Sequence, residues 1–135
     1  PPPQRRALVL IDPSYELKSD YARVVGAMAD ALGRFATGTY MVWHPIIPRP
    51  EAHDLPRKLK ALARKPGRSW LHATLAPPSR KPPVTGGDRA RPGLRASGVF
   101  VVNPPYTLHA ALATALPQLA SLLGDTPGSF SLDSA

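Results

Sequence analysis

An acid, a proline and an aromatic residue stand together where the first apolar run of the sequence stops. They are Asp12, Pro13 and Tyr15, with Ser14 between them, and the run before them spans residues 7–11. This run is typical of a strand buried on both faces. Because Pro13 favours an extended Asp12, the strand should end there with the carboxylate projecting beyond it. Ligands of open α/β sheets bind outside the carboxyl ends of the strands, so Asp12 and Tyr15 are candidate reaction-site residues. The alternative is structural, because Asp-Pro is also a common start of a turn.

Longer stretches around these residues resemble a known enzyme family. The tetrapeptide at residues 12–15, Asp-Pro-Ser-Tyr, resembles the Asp-Pro-Pro-Tyr motif of S-adenosylmethionine-dependent methyltransferases that modify exocyclic amines, notably N6 of adenine. Residues 6–21, 34–40 and 101–108 are similar to the RlmJ-type 23S rRNA adenine-N6 methyltransferases. The likeness covers only the C-terminal half of such an enzyme. It implies S-adenosylmethionine as the cofactor and ribosomal RNA as the partner.

The resemblance also implies roles for three residues. The exocyclic amine of adenine is a poor nucleophile because its lone pair is delocalised into the ring, and two hydrogen-bond acceptors would draw that pair back onto nitrogen. The Asp12 carboxylate would be one acceptor and the Pro13 carbonyl the other, while the Tyr15 ring would offer a flat face to an unstacked base. Alignment of the methyl donor supplies much of the rate, and no metal is needed. Ser14 departs from the family's second proline and leaves Pro13 less restricted.

The sequence lacks the features with which such enzymes bind S-adenosylmethionine. By resemblance these are a glycine-rich turn after one strand and an acidic residue at the end of the next. The glycine pair at residues 86–87 follows a proline-rich segment and not a buried strand. We therefore expect the donor site in an N-terminal half outside the region of likeness, and we expect the isolated chain to be a poor enzyme.

Basic residues are concentrated in the middle of the chain. Residues 49–95 contain 12 of the 17 Lys and Arg and 3 of the 9 Asp and Glu, a net charge of +9, whereas the other 5 basic and 6 acidic residues give −1. Such a segment suits a polyanion through counterion release, although a solvated basic face fits the composition equally well. The alternative function is therefore a non-catalytic basic module that binds RNA or DNA, or a degenerate relative of the enzymes. The candidate nucleic-acid contacts are Arg57, Lys58, Lys60 and Arg64.

Three other patterns offer alternative sites. Residues 103–106, Asn-Pro-Pro-Tyr, form the better methyltransferase motif, but only 29 residues follow them, so we interpret them as a stiff exit into the last helix. Asp12, Glu16 and Asp20 could bind a metal in a nuclease, yet no catalytic lysine or histidine accompanies them by motif. The four histidines have no metal-ligand spacing, and we predict no metal site.

The elements that position these residues follow from periodicity. A helix capped by Ser19 or Asp20, ended by Gly33 and Gly38 and followed by a strand at 39–43, makes a β-α-β unit with parallel strands. The apolar stripe of this helix comprises Tyr21, Val24, Val25, Met28, Leu32 and Phe35.

The remaining elements are a helix over 55–63, strands at 70–75 and 97–102, and a last helix capped by Thr107. Because no helix separates the last two strands, they should pair antiparallel. Pro56 would lie in the first turn of its helix, where proline is tolerated. The last helix should turn five leucines inward, at positions 108, 112, 116, 119 and 123.

The expected fold class is α/β: the C-terminal half of a class I (Rossmann-like) methyltransferase sheet, β-α-β-α-β-β-α, with a terminal antiparallel hairpin. Residues 1–135 would form one partial domain, with a mobile basic Pro/Gly-rich loop over 77–95. The sheet would be half built, with the inner edge of the strand at 7–11 unpaired, so a complementing N-terminal half or a second copy should cover it.

Composition limits the remaining classes. The chain has no cysteine, which excludes disulfides and thiolate metal sites. It has no apolar run long enough for a membrane span and no apolar core of a signal peptide. We therefore expect no membrane partner and a cytoplasmic location.

Overall fold

The computed structural model describes residues 2–64, 67–78, 94, 96–124 and 126–135. Within these residues the elements follow in the order β1 (Leu8–Ile11), α1 (Lys18–Arg34), β2 (Thr39–Pro45), α2 (Pro50–Arg64), β3 (Trp70–Ala76), β4 (Ser97–Val102), α3 (Leu108–Leu122) and β5 (Ser129–Ser134). The loop expected over 77–95 lies outside the described residues except at positions 77, 78 and 94. No helix in the described part of the chain is long and apolar enough to cross a membrane.

The strands form one sheet in the order β1-β2-β4-β3-β5. β1 and β2 pair in parallel, as the β-α-β unit predicts, with Ile11 opposite Val42. β4 pairs antiparallel with both β2 and β3, so the antiparallel pairing expected for the last two strands is confirmed. The α/β fold class is likewise confirmed.

β5 is an element that the sequence analysis missed. It pairs antiparallel with β3 along the outer edge of the sheet, with Leu132 opposite Ala73. The alternation of Phe130 and Leu132 with serines was its signal, but a six-residue run near the end of the chain has few apolar positions from which to recognise a strand.

The principal core lies between the sheet and the helices α1 and α2. Met28 of α1, Leu55 and Leu59 of α2, and Val42 and Phe100 of the sheet are completely buried there. Four of the six residues of the predicted α1 stripe belong to this core, and Val25 packs against it. The opposite face of the sheet carries a smaller core in which Leu116 of α3 packs with Leu71 and Val101.

Two helices differ from expectation. α2 begins at Pro50, five residues earlier than predicted, and Pro56 therefore lies inside the helix, where it lacks the N–H that would bond to the Ala52 carbonyl. α3 turns Leu116 inward, but Leu119 and Leu123 are exposed. The leucine spacing thus predicts a wider buried stripe on α3 than the one that contacts the sheet.

The expected helix caps have mixed outcomes. The N-cap of α1 is Leu17, so the cap predicted at Ser19 or Asp20 is wrong in position. Asp20 lies in the first turn instead, where its carboxylate accepts a hydrogen bond from the Leu17 N–H at 3.3 Å. Gly33 lies within α1, whose last residue is Arg34. Thr107 makes no side-chain capping hydrogen bond to α3.

The burial predicted for β1 is wrong. Leu8 and Leu10 are 65% and 62% exposed, because β1 is the terminal strand of the sheet and pairs only with β2 among the described strands. A continuous apolar run indicates a strand with two covered faces only if the covering elements are present. Within the described part of the chain, one edge of β1 is unpaired, as the half-built sheet predicts.

Candidate functional site

Asp12 is exposed directly beyond the last residue of β1, and Pro13 is half-buried beside it. β1 ends at Ile11, opposite Val42, whereas β2 continues to Pro45. The chain therefore leaves the sheet at Asp12 while the neighbouring strand still extends, which leaves the carboxylate free to meet a ligand at the strand end.

Tyr15 turns inward from this loop. Its backbone is left-handed, with φ at 56°, and its side chain is only 3% exposed. The hydroxyl donates a hydrogen bond to the Trp43 carbonyl at 2.6 Å, and the ring lies 4.9 Å from the Tyr21 ring between centroids. Burial, followed by the nearby charge of Asp12, raises the pKa of the Tyr15 hydroxyl, so this hydroxyl remains a neutral donor.

The orientation of Tyr15 corrects one expectation. A base cannot lie on a ring face that is packed against Tyr21 and Trp43, so the stacking platform inferred from the motif is not present in this arrangement. The left-handed backbone at Tyr15 directs the side chain into the core and not toward the ligand side. Tyr15 anchors the loop that carries Asp12.

Arg49 completes this anchor and was not singled out from the sequence. Its Nη1 donates to the carbonyls of Tyr15 at 3.1 Å and Glu16 at 3.4 Å. Arg49 lies in the loop between β2 and α2, 34 residues from Tyr15, and no local pattern links the two positions. Only the parallel pairing of β1 with β2, which places both strand exits at one edge, could have suggested it.

The acidic residues near Asp12 do not converge into a metal site. The Asp20 carboxylate is engaged at the start of α1, and Lys18 pairs with Glu51 of α2 at 3.6 Å. Among the residues that the structure describes, no group of three or more His, Asp or Glu side chains could hold a metal ion.

Asn103 lies at the opposite end of β1. Its backbone is left-handed, with φ at 53°, and its Nδ2 donates to the carbonyls of Ala36 and Gly38 at 2.9 and 2.8 Å. The Thr39 hydroxyl donates to the Asn103 carbonyl at 2.9 Å. These bonds tie the end of β4 to the loop between α1 and β2, as expected of a structural residue. Asn103 also lines a cavity of about 560 Å³ with Arg6 and Thr37.

The basic residues of α2 divide into two groups. Arg57, Lys58 and Arg64 are exposed, and Arg57 forms a surface pair with Asp54 at 3.0 Å. Lys60 is half-buried, with its Nζ 4.4 Å from the Trp70 ring centroid and 3.9 Å from the Asp133 carboxylate. Lys60 therefore contributes to packing between α2 and the sheet as well as to the charge of the helix.

Two histidines meet in the core. The Nε2 atoms of His44 in β2 and His72 in β3 are 3.0 Å apart, and His44 is 1% exposed. A cavity of about 170 Å³ beside them is also lined by His53. Burial lowers the pKa of both imidazoles, and for His72 it does so, together with the neighbouring His44 and Lys60, to about 4.

The fold and site together describe an α/β chain with an exposed acid at a parallel strand end, and comparison with known proteins assigns its class. Residues 1–134 match the family model described as RsmJ, ribosomal RNA large subunit methyltransferase D, RlmJ. The chain belongs to this RlmJ family.

Two relatives and one solved structure show how far the likeness extends. The chain is 40% identical over 134 residues to ribosomal RNA large subunit methyltransferase J of Haemophilus influenzae, covering 98% of this chain and 44% of that protein. It is 39% identical over 123 residues to the protein of the same name from Escherichia coli, covering 91% of this chain and 40% of that protein.

A crystal structure of a Legionella pneumophila protein superposes with a TM-score of 0.79 at 28% identity, covering 100% of this chain and 46% of that one. The chain thus spans less than half the length of each of these relatives.

Proposed function

We propose that this chain carries the acceptor side of an S-adenosylmethionine-dependent methyl transfer to N6 of an adenine in 23S ribosomal RNA. The observation that carries the proposal is the exposed Asp12 at the end of β1, on a loop held by Tyr15 and Arg49. Membership of the RlmJ family supports the reaction class.

Asp12 and Pro13 supply the two acceptors that the target amine needs. One N–H of the amine would donate to the Asp12 carboxylate and the other to the Pro13 carbonyl, so the nitrogen lone pair is drawn out of the ring and toward the incoming methyl group. Tyr15 takes part from behind, because its hydroxyl bond to Trp43 holds the loop while its ring stays in the core. The flipped base would then need a stacking partner other than Tyr15.

The residues around Asp12 lack the glycine-rich turn with which such enzymes bind S-adenosylmethionine. The connection between β1 and α1, residues 12–17, contains no glycine. The cavity of about 560 Å³ lies at the other end of β1 from Asp12. When bound, this cofactor supplies the electrophilic methyl group. We assign its binding mainly to polypeptide equivalent to the remaining length of the longer relatives, which would also cover the open edge of β1.

RNA would be held by the exposed cations of α2. Arg57, Lys58 and Arg64 lie on the outer face of this helix, and Lys60 adds charge from its half-buried position. Surface ion pairs such as Arg57–Asp54 are weak, so Arg57 can exchange its partner for a phosphate.

A second candidate function is a basic nucleic-acid-binding module without catalysis. Ser14 favours this candidate, because it leaves the Pro13 carbonyl less restricted than a second proline would. The need for a donor pocket from other polypeptide favours it too.

Methyl transfer from labelled S-adenosylmethionine to unmodified 23S rRNA separates the two functions. We would assay the chain alone and joined to the amino-terminal part of the Haemophilus influenzae relative. Asp12→Ala should reduce transfer by at least about 100-fold, because the amine loses an acceptor aligned in the transition state, while RNA affinity stays within about twofold. Asp30→Ala is the matched control, because Asp30 is exposed on α1 and pairs with Arg34. No transfer by the joined wild-type chain, with RNA binding retained, would favour the binding module.

A further inference from the structure

We propose that Arg49 is a positioning residue for the loop that carries Asp12, a role that rests on the methyl-acceptor function proposed above. The guanidinium Nη1 donates to the carbonyls of Tyr15 and Glu16, at 3.1 and 3.4 Å. These two carbonyls close the turn that begins at Asp12. Arg49 therefore ties the exit of this turn to the loop that follows β2.

The backbone of Arg49 is itself well held. Its N–H donates to the Ile47 carbonyl at 2.8 Å, and its carbonyl accepts from the N–H groups of Ala52 and His53 at 3.0 and 3.2 Å. It also lies between two prolines, whose rings fix the backbone angle φ on either side. The guanidinium thus extends from a fixed point beside the first turn of α2.

The turn that Arg49 holds has little intrinsic preference for its conformation. Tyr15 has a φ of 56°, in the left-handed region that side chains with a Cβ disfavour. Ser14 places no steric restriction on Pro13, whereas a proline at that position would push Pro13 into an extended conformation. Long-range bonds must therefore hold the turn, and those observed are the Tyr15 hydroxyl to Trp43 and Arg49 to the two carbonyls.

A direct contact between Arg49 and an RNA phosphate is the competing role. The geometry favours positioning, because Nη1 is directed at two carbonyls of the chain and the residue is half-buried. The two roles make different predictions. A restraint can be replaced by another restraint on the same turn, whereas a lost phosphate contact cannot.

The first experiment measures backbone ¹⁵N order parameters on the 135-residue chain. We expect Ser14, Tyr15 and Glu16 to have order parameters of about 0.85 in the wild type and below about 0.6 in Arg49→Met. Adding Ser14→Pro to Arg49→Met should return Tyr15 and Glu16 to near the wild-type value, because the proline restrains Pro13. Arg34→Met is the control, since Arg34 pairs with Asp30 on α1 and should leave the turn unchanged.

The second experiment measures methyl transfer by the joined chain described above. Arg49→Met should lower kcat by about 10- to 100-fold, because small displacements of aligned groups cost this much, with KM for RNA within about twofold. Ser14→Pro should restore most of kcat. If Arg49→Met prevents folding, Arg49→Lys, which keeps one donor, is compared with and without Ser14→Pro.

The outcomes separate the positioning role of Arg49 from a phosphate contact, and the positioning role from the proposed methyl-acceptor function. Unchanged order parameters in Arg49→Met, or a mobile turn that Ser14→Pro does not restore, would overturn the positioning role. A raised KM for RNA at unchanged kcat would also overturn it and assign a phosphate contact. Because the order parameters require no catalysis, an inactive wild type counts against the proposed function alone.

Discussion

The imidazoles of His44 and His72 meet across Gly98, with their Nε2 atoms 3.0 Å apart. His44 lies directly opposite Gly98 in the pairing of β2 with β4, and His72 lies opposite Phe100 in the pairing of β3 with β4. A hydrogen bond between two imidazole nitrogens needs one nitrogen without a proton, so at least one ring must be neutral. β4 lies between the two histidine strands, and at Gly98 it must leave room for both rings.

Acidification should destabilise the fold through this pair. Burial lowers the pKa of both histidines below the ordinary value of 6.5, for His72 to about 4. The unfolded chain therefore binds more protons than the folded chain as the pH falls below 6.5, and stability decreases toward about pH 4. Urea unfolding should show that the free energy of unfolding is lower at pH 5.0 than at pH 7.5 by on the order of 1 kcal/mol. The difference is this small because His72 is only partly buried. His72→Gln should reduce this pH dependence, whereas His53→Gln, at an exposed position, should retain it.

Gly98→Ala should destabilise the protein by about 1–3 kcal/mol, because the new Cβ would overlap the His44 imidazole in a packed core. Thermal and urea unfolding measure the change. Gly26→Ala is the matched control, since its Cβ would meet no atom within 4 Å on the exposed side of α1 and should stabilise the helix by about 0.5–1 kcal/mol. Equal stabilities of the two variants would contradict the close approach at Gly98.

Asn103→Ala should lower stability by about 2 kcal/mol without a specific loss of methyl transfer. The substitution removes both Nδ2 bonds, to Ala36 and Gly38, and leaves their carbonyls without this donor. Urea unfolding and the transfer assay are compared on the same preparation. Loss of transfer in a fully folded Asn103→Ala protein would assign the reaction to residues 103–106 and not to Asp12.

Replacing Arg57, Lys58 and Arg64 together by Ala should flatten the salt dependence of RNA binding by about 2 in the slope of log K against log salt concentration. The three exposed cations release counterions when they meet phosphates, and this release sets the slope. Titrations at several salt concentrations measure it. Lys18, Arg23 and Arg34 on α1 are also exposed, and replacing these three by Ala serves as the charge-matched comparison. An equal effect there would mean that the net charge matters and the α2 face does not.

Several features were predictable from the sequence because they depend on neighbours along the chain. β4 has the predicted bounds, and the α1 stripe follows from a helical period of apolar residues. The end of β1 immediately before Asp12 agrees with the restriction that Pro13 places on the preceding residue. The motif at residues 12–15 and its flanks also indicated the RlmJ family, which the family match confirms.

The burial of β1 and the role of Tyr15 were decided only by the tertiary structure. An apolar run states which residues can be buried, but the covering elements decide whether they are, and β1 lies at the edge of the sheet. The motif places an aromatic residue after Asp12, but a left-handed backbone and a hydroxyl bond to Trp43, 28 residues away, turn the ring into the core.

The contact of Arg49 with the turn after Asp12 and the pairing of His44 with His72 have the same origin. They join residues 28 to 34 positions apart, through strand pairings whose partners no local pattern specifies. The sequence by itself thus determined the acid at the strand end and the family of the chain. The tertiary structure decided which distant side chains hold that acid in place, because only folding brings the ends of β1 and β2 to the same edge of the sheet.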